Sequence, residues 1–292
     1  MNVPETKQLF DAHYYATGCG MPYVRNEAWL TFFDGIAAQI VRTIGPATVL
    51  DAGCALGLLV ERLRAHDVAA AGVDISEYAI SQAHPEVQPF VRVGSVTEPL
   101  AQRYDLIVCI EVLEHMQVRE AEQAVAVFCA ASDDVLFSSS PHDYKEATHF
   151  NVNPPEYWAE LFARHGFVRD LDFDATFITP WAARFRRRSD PLARIIRDYE
   201  RRHWLLLRES HDLRQLALEQ RAELAAAHLA NEHAAQADTL AAALTASQAY
   251  AQELEATLAT KNAHIARLEA LLARIEHGRL MRLLRLLGGR RG

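Results

Sequence analysis

Short apolar runs alternate with amphipathic stretches through roughly the first two-thirds of the chain. Ala47 to Ala52 is a short apolar run that meets an acid, Asp51, and then Gly53. A helical period follows from Leu58 to Ala65. Ala69 to Asp74 is a second run and again ends on an acid. Tyr78 to Ala83 reads as a short helix and Phe90 to Val93 as a third strand. Tyr104 to Ile110 is nearly continuous in apolar residues, as a strand buried on both faces must be. Ala121 to Ala131 predicts a helix, Asp134 to Ser138 a fifth strand, and Pro155 to His165 another helix. Phe167 to Asp172 and Ala175 to Phe185 close the pattern as two strands of a hairpin. Strands alternating with helices imply an α/β fold, a Rossmann-like, mostly parallel, seven-stranded sheet wound on both sides.

The pattern changes near Pro191. Beyond it there is no further proline, and no glycine before Gly278. Ala, Leu, Glu, Gln and Arg, all good helix formers, dominate the stretch between. Leu244, Ala251, Leu258, Ile265 and Leu272 recur every seven residues. So do Leu240, Leu254, Leu268 and Ile275, with Ser247 and Lys261 in the intervening places. Two such series, offset by three and four, make a coiled-coil seam. A helix from Ile195 to Ile275 would run roughly 120 Å, and its apolar stripe needs cover, which points to a homo-oligomer. Three parts are expected: a globular domain over 1–188 that includes an N-terminal helical lid, a long coiled-coil helix over 189–277, and a basic tail over 278–292.

Composition narrows the function. Half of the 292 residues are hydrophobic, enough for a sizeable core, and the formal net charge is −8. An acidic chain is a poor match for a phosphate backbone, so no nucleic-acid partner is expected. Cys19, Cys54, Cys109 and Cys129 show no CxxC spacing, which suggests reduced thiols and a cytoplasmic setting. The first residues lack a basic start before an apolar run, so no signal peptide is expected. No apolar stretch approaches the roughly 18 residues that span a bilayer.

The candidate chemistry lies at strand ends. Gly53 and Gly57 remove side chains where the chain turns sharply out of the first strand. Asp74 ends the second strand, where a carboxylate can accept from both ribose hydroxyls. An acid there serves NAD and S-adenosylmethionine (SAM) sites alike. The run Gly53-Cys-Ala-Leu-Gly57 lacks the GxGxxG spacing that cradles a pyrophosphate, and SAM has none to cradle.

The segment Tyr104-Asp-Leu-Ile-Val-Cys-Ile-Glu-Val-Leu-Glu-His-Met116 decides between them. With Val49-Leu-Asp-Ala-Gly-Cys-Ala-Leu-Gly57, it closely resembles the class I SAM-dependent methyltransferases over about Phe10 to Phe185. The resemblance implies SAM as cofactor. It places Asp51, Gly53 and Gly57 at the methionine end, with Cys54 and Ala55 in the same loop. It gives Asp74 the ribose, Ile75 the adenine face, Ser95 and Val96 the adenine edge, and Glu111 a place near the methionine. Ala55 departs from the usual middle glycine of that turn.

Two further segments, Tyr14 to Tyr23 and Ser138 to Trp158, resemble bacterial methyltransferases that accompany glycosyltransferases in surface-polysaccharide clusters, some with a C-terminal coiled coil. That resemblance implies a saccharide or glycan-linked acceptor. It makes Tyr14, Tyr15 and Tyr23 a lid, with Tyr14, Tyr23 and His142 toward the acceptor. His149 is the first choice of general base and His115 the second, both on loops at the carboxyl edge of the sheet. His142, Asp143 and His149 match no strict ligand spacing, so no metal site is assigned. In the tail, Leu280, Leu283, Leu284 and Leu287 share a face beside five arginines. Such a helix suits the inner membrane surface or a glycosyltransferase partner. Two rival readings stand: a small-molecule methyltransferase of quinones or secondary metabolites, and a catalytically weak scaffold.

Overall fold

Seven strands hydrogen-bond into one sheet in the order β3-β2-β1-β4-β5-β7-β6. They are β1 (Thr48–Ala52), β2 (Ala69–Asp74), β3 (Val91–Val93), β4 (Leu106–Ile110), β5 (Asp134–Ser138), β6 (Phe167–Arg169) and β7 (Ala183–Arg187). The first five are parallel, and β7 lies antiparallel between β5 and β6. This is the Rossmann-like arrangement expected of a class I methyltransferase fold. The computed structural model describes residues 9–18 and 20–277, with side chains of the last helix as far as Leu271. Cys19 and the basic tail over 278–292 lie outside the described residues.

The central strands are apolar on both faces because both faces are covered. Alternate residues divide between two cores. Val49, Leu106, Val108 and Leu136 face one side with helices α2 (Glu27–Thr43), α3 (Leu58–Ala65) and α4 (Glu77–Ser81). Leu50, Ile107, Cys109, Val135 and Phe137 face the other with α5 (Val118–Ala131) and α6 (Pro155–Ala163). Asp105 clamps the start of the sheet: its Oδ2 accepts from the Ala47 and Thr48 amides, and its own amide donates to Thr48 Oγ1. A short helix, α1 (Ala12–Thr17), precedes this body and is capped by Asp11.

Two departures from the sequence reading matter. The sequence pattern assigns no element to Glu27–Thr43, yet this is a helix, capped by Asn26 and buried along Phe33, Ile36, Ala37 and Ile40. The predicted strand over Ala175 to Phe185 begins only at Ala183. Residues 173–182 instead fold through tight turns closed by Ile178 N–H to Ala175 O and Ala182 N–H to Thr179 O. Ile178 and Thr179 line a cavity there, and Phe173 and Phe177 pack against the core instead of entering the sheet.

The chain divides into two compact units, the first ending at Trp204 and the second beginning at Leu205. The second is helical to His277, within α7 (Leu192–His277). Its heptad positions Leu240, Leu244, Leu254, Leu258, Ile265 and Leu268 are all exposed in the single chain. Among the described residues no helix is long and apolar enough to cross a membrane.

Phe162 is fully buried and stacks on Phe185 with ring centroids 4.2 Å apart. Phe162→Ala is expected to lower unfolding stability by about 3–5 kcal/mol, read as a fall in the urea midpoint at unchanged slope.

Candidate active site

The turn out of β1 is built from left-handed backbone. Gly53, Ala55 and Gly57 have φ of 87°, 45° and 71°. A side chain at Gly53 would put Cβ 2.3 Å from Val112 Cγ2, so only glycine fits. The turn aims its amides at the end of β2. Gly53 and Cys54 N–H donate to the Val73 carbonyl at 2.8 and 3.1 Å. Ala55 N–H donates to Asp74 Oδ2 at 2.8 Å, and Ser76 N–H to Asp74 Oδ1 at 2.8 Å. Asp74 is thus held rigid, and each oxygen keeps a lone pair for a ligand.

Asp51 lies beside it, nearly buried. Burial, reinforced by the Asp74 charge, pushes its carboxyl up to about 8. Among the described residues no group donates to its side chain. Asp74 is raised too, by burial, against the pull of its two amide bonds. Once ionised, the pair attracts a cation.

The end of β4 supplies the opposite wall. Glu111 adopts φ 51°, an uncommon conformation for a non-glycine residue. Its Oε1 accepts from Trp181 Nε1 at 2.9 Å and from the Ser138 hydroxyl. Glu114 is fully buried, and its carbonyl accepts from the Phe150 and Asn151 amides at 2.8 and 2.9 Å. Its Oε1 accepts from Ser140 N–H at 3.0 Å. Burial and the nearby Glu111 charge hold its carboxyl well above the usual range.

These bonds staple the loop after β5 to the turn after β4 and bring two histidines together. His115 and His149 have ring centroids 4.6 Å apart. His115 Nδ1 meets Thr148 Oγ1 at 2.9 Å, and His149 Nδ1 meets the Asp143 carbonyl at 2.7 Å. Burial, with the neighbouring His149, pulls His115 down to about 3, so it is neutral near pH 7 and a weak proton acceptor.

A cavity of about 870 Å³ joins these parts. Asp51, Gly53, Cys54, Ala55, Asp74, Ile75, Ser95, Val96 and Glu111 line it, as do His115, His149, Tyr14 and Tyr23. Gly57 does not: it starts α3, where an added Cβ would meet Val91 Cγ1 at 3.0 Å. That placement gives it a packing task rather than contact with a ligand. His142 is also absent from the lining, because its ring packs edge-on against Trp181 at 5.3 Å. With His142 turned away, the loop grouping His142, Asp143 and His149 does not converge on one point. Glu114, His115 and His149 do, each offering a ligand atom within 4.8 Å of the others.

Sequence reasoning missed several lining residues. Phe10, Trp29, Phe32 and Phe33 make an aromatic wall, and Ile178 and Thr179 come from the turns before β7. Phe10 is edge-on to His115 at 5.6 Å and is tied down through its carbonyl by Ser76 Oγ at 2.6 Å. The only sequence signal was the aromatic density of the first 33 residues.

Residues 27–170 match the family described as Methyltransferase domain. The ubiquinone biosynthesis O-methyltransferase of Coxiella burnetii is 41% identical over 148 residues, 46% of this chain and 60% of that protein. The magnesium-protoporphyrin O-methyltransferase of Synechocystis sp. is 32% identical over 115 residues, 36% of this chain and 50% of that protein. The chain therefore spans only 50–60% of the length of these curated relatives. The crystal structure of magnesium protoporphyrin IX methyltransferase from Synechocystis, with bound SAH, aligns at a TM-score of 0.49 and 17% identity. That alignment covers 64% of this chain and all of the other. The family match takes in just under half of the chain, and the sheet order and the β1 turn are those expected of a SAM-dependent methyltransferase fold.

Ala55 bears a left-handed conformation that costs an L-residue about 1–2 kcal/mol. Ala55→Gly is expected to recover about 1 kcal/mol of that and raise the melting temperature, measured by calorimetry.

Proposed function

We propose that the chain transfers the methyl group of SAM to a hydroxyl oxygen of a small acceptor, with a saccharide or glycan-linked molecule as the acceptor class. The observation that carries this reading is the joint cavity. It sets the Asp51–Asp74 carboxylates and a pair of histidines around one space, at the upper end of the range for small-molecule sites. In this reading Asp74 holds the ribose hydroxyls and Ile75, Ser95 and Val96 border the adenine. Asp51, Glu111 and the Gly53–Ala55 turn take the cationic methionine end. Tyr14 and Tyr23 close over the bound molecules.

The acceptor oxygen attacks the methyl carbon in line with the carbon–sulfur bond. That bond breaks, and its electron pair stays on sulfur as the neutral thioether. Alignment and exclusion of water supply most of the rate. The acceptor proton goes to a base, and His149 suits this better than His115. His115 is a weak acceptor, while the Asp143 carbonyl fixes the proton of His149 on Nδ1 and leaves the lone pair on Nε2, 3.8 Å from Glu146 Oε2.

The names of the curated relatives support oxygen as the target. The aromatic wall of Phe10, Trp29, Phe32 and Phe33 favours a second reading, a flat quinol-like acceptor. Assays with glycan hydroxyls and with quinols, following SAH release, separate the two. The exposed heptad positions of α7 support self-association through the helix. Placement at a membrane or beside a glycosyltransferase through the tail is proposed on sequence alone.

SAM titration by calorimetry tests the core of the reading, and no heat at millimolar SAM would leave the scaffold alternative. Asp74→Ala is expected to weaken SAM at least about 100-fold, since two hydrogen bonds to a charged group are lost. Asp51 is protonated in the free protein below about pH 8 and must ionise to meet a cation. SAM binding should therefore release a proton and tighten with rising pH, by up to about tenfold per unit between about pH 5.5 and 7.5. The same group destabilises the free protein as pH rises from about 4 to 8, because the unfolded chain loses that proton first. Asp51→Asn should flatten the SAM profile; a persisting slope would move the proton elsewhere.

A further inference from the structure

We propose that Glu114, His115 and His149 form a binding site for a divalent transition-metal ion at the edge of the cavity. One ligand atom from each lies within 4.8 Å of the others. Metal–ligand bonds near 2.1 Å put tetrahedral ligands about 3.4 Å apart, so closure needs little more than about 1 Å.

The hydrogen bonds around the cluster prepare both imidazoles as ligands. Thr148 has one hydroxyl proton, and it goes to Glu146 Oε1 at 2.5 Å. Thr148 Oγ1 must then accept from His115 Nδ1. The Asp143 carbonyl can only accept, so His149 Nδ1 is the donor in that bond. Each neutral ring therefore carries its lone pair on Nε2. Fixing one ring nitrogen as donor so that the other can ligate is the habit of metal-binding histidines.

Glu114 supplies an independent sign. It is fully buried, and its Oε2 has no hydrogen-bond partner among the described residues, although Oε1 is satisfied by Ser140. An orphaned carboxyl oxygen is costly, and a cation is the partner that removes the cost. Glu111 meets Trp181 and Ser138 through Oε1 and also lies close enough to hydrogen-bond to the Glu114 carboxyl when one of the pair is protonated, so the ion would replace that shared proton. Two nitrogens and one oxygen favour Zn²⁺, Co²⁺ or Fe²⁺ over Mg²⁺, which prefers oxygen donors. His115 and His149 line the cavity, so the open coordination position faces it.

The consequence for catalysis rests on the methyl-transfer reading. An acceptor hydroxyl on the ion would lose its proton near neutral pH and present an oxyanion to the methyl group. The ion would then do what was assigned above to His149 as base, since one lone pair cannot serve both.

The test uses the full chain, stripped with chelator and titrated with Co²⁺. One equivalent should produce the strong visible bands of a four- or five-coordinate ion, be displaced by Zn²⁺, and resist millimolar Mg²⁺. His149→Ala and Glu114→Gln should lose the bands. Thr148→Val keeps every ligand but frees the His115 tautomer, and should weaken Co²⁺ about 10–100-fold. SAM affinity, measured on the same samples, checks that each variant is folded and reads the cofactor site separately. If Glu114→Gln fails to fold, the other two variants decide. Only six-coordinate Co²⁺, equal binding by His149→Ala, or Mg²⁺ competing at equal concentration would each overturn the proposal.

Discussion

The site depends on one hydrogen-bonded junction, where the turn after β1 meets the end of β2. Three left-handed residues, Gly53, Ala55 and Gly57, let that turn point successive amides at Val73 and Asp74. The junction does two jobs at once. It satisfies a buried carboxylate that would otherwise be very costly, and it fixes that carboxylate at the mouth of the cavity. The close approach of Val112 to Gly53 brings the end of β4 into the same contact. One local conformation thus joins the ends of three neighbouring strands, and the strain at Ala55 and Glu111 is carried at the cavity they line.

A second junction, between the loops after β4 and β5, governs the histidine side of the cavity. The Glu114 carbonyl takes the amides of Phe150 and Asn151, and its carboxyl takes that of Ser140. A loop of a dozen polar residues is ordered by backbone bonds rather than by apolar packing. Asn151, itself buried, adds a bond from Nδ2 to the Leu113 carbonyl. Such a seam costs little when fully paired and fixes side chains tightly, which a catalytic or metal-binding group requires.

The helix from Leu192 answers to different physics. Its residues are good helix formers without a break, but helices in water rely on covered apolar faces. In the single chain the leucines of both heptad series as far as Leu268 are exposed. Helix formation there is a local property, and within the single chain the stripe is left uncovered.

Sequence alone determined the strands β1 to β5, since short apolar runs ending in Asp51 and Asp74 are a local signature of a parallel sheet buried on both sides. It also singled out Asp51, Gly53 and Asp74, which the structure brings to one cavity wall, because these lie at or just beyond strand ends. It left Glu27–Thr43 unassigned, although the Asn26 cap and the spacing of Phe33, Ile36, Ala37 and Ile40 carry a clear helical period. Nor could it show that residues 175–182 leave the sheet, since β propensity there is overridden by contacts with Glu111 and the cavity. The removal of His142 to Trp181, the packing duty of Gly57, and the meeting of Glu114, His115 and His149 were decided by tertiary structure alone. Those groups come together through backbone bonds between loops more than thirty residues apart, and no spacing along the chain encodes such bonds.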